Sequence, residues 1–194
     1  AASDVYKRQE HQYDLRDIII HDIKGHLRTI KQLSQNGEND RIKSYIDSIY
    51  NSGAMGAVKQ FSSNKLANVI ISRYAHLCAN SEIKFNCDVR SIDFSFLSDS
   101  DLTILLDNIL NGAYKSAEKS EERFIDMSIG SFNEAYVVLN VRHSVDGSPD
   151  IKNSERAARI SKIIQKYGGQ ASFDCADERI FEAKIMFKSS VAKK

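Results

Sequence analysis

Proline, the residue least compatible with a helix interior, occurs once in the 194-residue chain, at Pro149. Before about residue 60, only Gly25, Gly37, Gly53 and Gly56 could interrupt a helix, so this part of the chain is free to form long ones. From Tyr13 to Leu33 the apolar residues Leu15, Ile18, Ile19, Ile23, Leu27, Ile30 and Leu33 recur at spacings of three and four, the period of one helix face. The segment QNGEND follows, in which Gly37 supplies a stop and Asn39 or Asp40 a new N-cap. A second amphipathic run carries Ile42, Tyr45, Ile46, Ile49, Met55, Val58 and Phe61, with its stripe blurred near Gly53. Two helices joined by a short turn make an antiparallel hairpin. Such a hairpin cannot cover both apolar stripes by itself, and a second copy could cover the rest. The expectation is therefore a homodimeric four-helix bundle through residues 10–61. The first nine residues, AASDVYKRQ, are set aside as extraneous or frayed.

Beyond SSNK the pattern changes. Leu66, Val69, Ile70, Tyr74 and Leu77 predict a helix over 64–79, capped by Ser62, Ser63 or Asn64. IKFNCDV alternates with period two and reads as a strand. A helix over 100–119 follows, burying Leu102, Leu105, Leu106, Ile109, Leu110 and Ala113. RFIDMSIGS and EAYVVLNVR pair as strands about a turn at Phe132 and Asn133. After the polar loop HSVDGSPDIKNS comes a helix over 155–167, stopped by Gly168 and Gly169, and then a closing hairpin of QASFDCA and RIFEAKIMF. This order, α-β-α-β-β-α-β-β, predicts a mixed sheet covered on one face by helices over residues 62–190. The fold class is thus α plus α/β, a helical hairpin followed by an α/β sandwich. The content of hydrophobic residues, 42%, and of charged residues, 27%, suits such a core.

Charge names no partner: 27 basic and 26 acidic residues are spread without long single-sign blocks, which argues against nucleic acid or an anionic membrane. Cys78, Cys87 and Cys175 are far apart and form no C-x-x-C, so buried free thiols in a reducing compartment are expected, and no metal site. No apolar run is long enough to span a bilayer, and the start lacks the apolar stretch of a signal peptide. The expected location is the cytoplasm, either as a free protein or as the cytoplasmic part of a membrane-bound sensor.

Histidine placement supplies the functional candidate. At about 100° per residue, the apolar stripe of the first helix centres near Ile19, Ile30 and His26, and His21 falls roughly 160° away. His21 is therefore expected to be exposed and reachable by another protein, whereas His26 is expected to be packed or hydrogen-bonded within the stripe. Asp22, beside His21, could take a proton from one imidazole nitrogen and make the other a better nucleophile.

The motifs HDIKGHLRTIKQL, LTILLDNILNGAYKSAEKS and IIQKYGGQASFD, in this order and spacing, resemble sensor histidine kinases of the Gram-positive peptide-quorum-sensing type, which carry a GHKL ATP-binding domain. The likeness spans residues 13–188. The first motif looks like the phosphoacceptor box, the second like the N-box helix, and the third like the end of the last domain helix and its following strand. The resemblance implies that His21 accepts a phosphoryl group, that Asp22 is its acid/base partner, and that the phosphate is exchanged with an aspartate of a response-regulator receiver domain.

Several positions depart from the family pattern. Gly25 stands where Asn or Thr usually assists dephosphorylation, so phosphatase activity is not expected. In the N-box, two asparagines one helical turn apart face Mg²⁺ and phosphate together. Asn108 holds the first position, a vestige of an ATP/Mg site, but Gly112 replaces the second; Asn111 points about 100° away, and Lys115 replaces an acidic residue. His143 stands in place of an asparagine near the adenine pocket. The glycine-rich stretch that would hold phosphates is represented by Ser154, Glu155, Arg156 and Ala157, with an acidic side chain where phosphates would lie. Asp146 and Gly147 read equally well as a turn.

The leading expectation is a pseudokinase-like histidine phosphotransferase or regulator, similar in plan to the sporulation phosphotransferases, with no cofactor. ATP with Mg²⁺ enters only under the alternative of an active sensor-kinase core. A further alternative is a non-catalytic dimeric interaction module.

Overall fold

The computed structural model describes the backbone of residues 2–54, 60–147, 155–176 and 178–189; within these, the side chains of 2–16, 18–19, 50–54 and 176 are not described. The chain forms two compact units, Ala1–Val58 and Lys59–Lys194.

The first unit is the helical hairpin. Helix α1 spans Ala2–Gln35 and α2 spans Asn39–Ala54. Residues 2–9, expected to be extraneous or frayed, are part of α1, since nothing in ASDVYKRQ stops a helix. Gly37, at φ 72°, makes the turn, and the Glu38 N–H closes on the Leu33 carbonyl at 3.0 Å. Among the described side chains of α1, Gly25, Thr29 and Leu33 are buried, with the Thr29 hydroxyl donating to the Gly25 carbonyl at 3.2 Å, while Tyr45 of α2 is fully buried. Of the second apolar run, Met55 and Val58 lie outside the described residues. Phe61 is not part of α2: its ring stands edge-on to Phe85, 6.0 Å away, in the second unit.

The second unit runs α3 (Lys65–Asn80), β1 (Lys84–Val89), α4 (Asp99–Lys119), β2 (Phe124–Phe132), β3 (Tyr136–Ser144), α5 (Glu155–Lys166), β4 (Gln170–Ala176) and β5 (Ile180–Lys188), the order expected from sequence. Its five-stranded sheet has the order β1-β2-β3-β5-β4. Strands β1 and β2 run parallel and every other pair antiparallel. The parallel pair requires a crossover, and α4 supplies it.

Alternation along the strands sorts the two faces. Ile125, Met127 and Ile129 of β2, Val137, Leu139 and Val141 of β3, and Phe181, Ala183, Ile185 and Phe187 of β5 are all buried beneath the helices. Their cross-strand partners match in register, with Met127 beside Val141 and Leu139 beside Ile185. On the opposite face Asn86 donates to Asp126 at 2.7 Å and Asn140 to Glu182 at 3.0 Å.

Caps fix the helix ends. The Ser98 side chain accepts the Asp101 N–H at the start of α4, and the Asn64 side chain accepts the Ala67 N–H at the start of α3. At the end of α5, Gly168 is left-handed at φ 60°, and the Gly169 N–H reaches the Ile164 carbonyl at 2.8 Å. A Cβ on Gly169 would lie 2.7 Å from the Phe187 ring, so the chain can pass this point only as glycine.

Candidate functional site

In the hairpin, His21 is half-buried, with both ring nitrogens hidden from solvent, which corrects the expectation of an exposed imidazole. The reason lies in which flank of α1 packs. Gly25 and Thr29 are small enough to form the packed face with Leu33, and at 100° per residue that face lies roughly 80° from the centre of the apolar stripe, on the side toward His21. The hairpin contact thus follows the small residues, while Ile20, Ile23 and Leu27 are 40%, 51% and 59% exposed.

Asp22 does not face His21. Its carboxylate lies 3.1 Å from His26 Nε2, and His26 Nδ1 meets the Tyr45 hydroxyl at 2.8 Å. Adjacent helical residues diverge, whereas residues i and i+4 share a face, so Asp22 pairs with His26 rather than with His21. His26 is half-buried and hydrogen-bonded, as expected from its place in the stripe. The participation of Tyr45 was not legible, since a tyrosine at an apolar helical position reads simply as core. The Asp22 to His26 spacing was the one available signal.

In the second unit, a cavity of about 150 Å³ lies between α4, α5 and the sheet. Asn108, Gly112 and Ser116 line it from one face of α4, being i, i+4 and i+8. Asn111 is not among its lining residues, in keeping with its position about 100° round the helix. The Asn108 amide donates back to the Ile104 carbonyl at 2.6 Å. His143, only 5% exposed, lines the cavity from β3, and its Nδ1–H donates to the Ser144 carbonyl at 3.0 Å. Burial pushes its pKa below the ordinary histidine value, so the ring is held neutral. Phe181 tilts against it with ring centres 5.1 Å apart, and Phe173 stacks on Phe181 at 6.3 Å.

At the start of α5 the acidic side chain expected at the phosphate position is not the one that faces the cavity. Glu155 points into solvent, with its side chain 93% exposed, rather than toward the cavity. Arg156 turns inward instead: a Cβ on Gly112 would lie 3.1 Å from Arg156 Nη1 and 3.3 Å from Cδ. The arginine side chain therefore lies against the bare backbone of α4 at Gly112. The residues present do not suit a divalent cation at this point. A guanidinium covers it, and no described lining residue is a carboxylate. Gly112 was read only as a loss; the sequence held no signal of what fills the space.

No family model matches the chain, and no curated protein matches it. Solved structures do, histidine kinases among them. The histidine kinase AdeS of Acinetobacter baumannii is 12% identical, with a TM-score of 0.54, over 91% of this chain and 98% of that one. A blue-light-activated histidine kinase of Erythrobacter litoralis is 14% identical, with a TM-score of 0.53, over 92% of this chain and 63% of its own. The nucleotide-free catalytic domain of the histidine kinase ThkA is 15% identical, with a TM-score of 0.51, over 64% of this chain and 90% of its own. The chain thus shares its fold with these histidine-kinase structures.

Proposed function

We propose that this protein acts in two-component or phosphorelay signalling as a pseudokinase-like histidine phosphotransferase or regulator, exchanging phosphate between His21 and an aspartate of a response-regulator receiver domain. The observation that carries this reading is the Arg156 side chain lying on Gly112 in a histidine-kinase fold. A fixed positive charge there repels a divalent cation, so the domain is a poor source of ATP-derived phosphate. The phosphate then comes from the partner.

Transfer asks little covalent chemistry of the protein beyond an aligned nucleophile. A neutral His21 nitrogen attacks the phosphorus of the receiver's acyl phosphate. The P–N bond forms as the bond to the aspartate oxygen breaks, and the receiver carboxylate departs with its electron pair. Since the His21 nitrogens are hidden from solvent, the ring must first rotate outward to another rotamer. Asp22 can serve as its proton acceptor only by leaving His26. The exposed strip of Ile20, Ile23 and Leu27 supports the homodimer, with a second hairpin covering it.

One experiment with two phosphate donors tests the proposal. A phosphorylated receiver domain is expected to label wild-type protein with acid-labile phosphate and to leave His21→Gln unlabelled, whereas ATP with Mg²⁺ labels neither. Labelling of His21 from ATP would make the protein an active kinase. Labelling from neither donor would make it an interaction module.

A further inference from the structure

We propose that the cavity between α4, α5 and the sheet binds a small organic anion with an aromatic or branched apolar body, held by the Arg156 guanidinium without a metal ion. The inference rests on the preceding reading only in taking the cavity as not committed to a nucleotide.

Size comes first. A cavity of about 150 Å³ holds a single six-membered ring, whereas pockets for larger ligands run from roughly 300 to 1,000 Å³. The walls are apolar over Val141, Ile160 and Phe181, which suits a ring or branched chain. Charge comes second. Arg156 is the one cationic side chain among the described lining residues: burial keeps His143 neutral, and no described lining residue is acidic. The ion pair at this end of α5 belongs to Arg159 and Glu155, at 3.8 Å, and no described carboxylate pairs with Arg156. A half-buried guanidinium beside apolar walls favours a planar anion, because its N–H donors match two carboxylate oxygens side by side. Gly112 leaves room for this approach, since a Cβ there would lie 3.1 Å from Arg156 Nη1 and the arginine would have to give way by a few tenths of an ångström.

Calorimetry on the full chain in EDTA, with benzoate and its uncharged counterpart benzyl alcohol as probes, tests the proposal. Benzoate is expected to bind at one site, at least roughly tenfold more tightly than benzyl alcohol, the factor a charge-assisted hydrogen bond supplies. Arg156→Gln is expected to lose that advantage. Gly112→Ala should weaken benzoate by less, because it only nudges the arginine and leaves its charge in place, and an alanine within a helix does not threaten folding. Failure of benzoate to bind, equal binding of the two probes, or binding unaffected by both variants would overturn the proposal. None of these outcomes bears on phosphate transfer to His21, and absence of that transfer leaves the benzoate result standing.

Discussion

At the scale of single residues, the hairpin shows how far a one-dimensional pattern can mislead about side-chain partners. Asp22 adjoins His21 in sequence but bonds to His26, because the helix sets neighbours 100° apart and brings the fourth residue back. The resulting chain from Asp22 through His26 to Tyr45 ties α1 to α2 by a polar contact inside an apolar interface. Tyr45 is 0% exposed, so the bond to His26 helps satisfy a hydroxyl that water does not reach. Tyr45→Phe should therefore destabilise the hairpin by about 0.5–1.5 kcal/mol, and in the His26→Ala background the same change should cost less. Urea unfolding of the two single variants and the double variant checks this; additive losses would mean that phenol and imidazole do not interact. His26 was recognisable as a packed residue from its angle on the helix. Its two partners were not, since that depends on which flank of α1 meets α2, and the small side chains of Gly25 and Thr29 decide it.

At the scale of elements, the sequence was most informative where local chemistry is self-sufficient. Gly168 and Gly169 end α5, Ser98 caps α4, and the strands alternate with the period that their buried face requires. What joins α4 to α5 was not legible, because the contact spans 66 residues of chain. The Asp101 carboxylate accepts from Lys166 Nζ at 2.7 Å, from the Tyr167 hydroxyl at 2.5 Å and from the Ser98 hydroxyl at 2.8 Å. Tyr167 in turn accepts the Ser98 N–H at 3.2 Å. The hydrogen bond from Lys166, followed by those from Tyr167 and Ser98, holds the Asp101 pKa at about 2 against an ordinary value of 3.8. A carboxyl depressed in the folded state stabilises the fold fully above its unfolded value. That contribution is lost as the pH falls from about 4 toward 2. Wild-type protein should thus lose more stability across this interval than Asp101→Asn, which has no proton to gain there. Thermal melting at stepped pH measures the difference, and parallel acid profiles would refute the role assigned to Asp101.

At the scale of the whole molecule, the element order of the second unit followed from periodicity and punctuation, and histidine-kinase structures share that fold. The occupant of the space beside Gly112 did not follow, because a missing side chain does not say which distant residue fills its place. The hairpin leaves a different problem. Its internal contact consumes Leu33 and Tyr45, yet Ile20, Ile23 and Leu27 stay exposed along α1, and Ile46 of α2 is 45% exposed. Under the proposed dimer these residues are covered by a second hairpin, so part of the stability of the first unit comes from association. Its unfolding midpoint should then rise with protein concentration, while that of the second unit stays fixed. The double variant Ile23→Glu, Leu27→Glu places two unpaired carboxylates in that contact, each costing on the order of several kcal/mol to bury. Light scattering should find a dimer for wild type and a monomer for the variant, whose hairpin melts at lower temperature independently of concentration. A wild-type monomer, or a variant that still dimerises, would remove the four-helix bundle from the proposal, and the hairpin would have to cover its strip in another way.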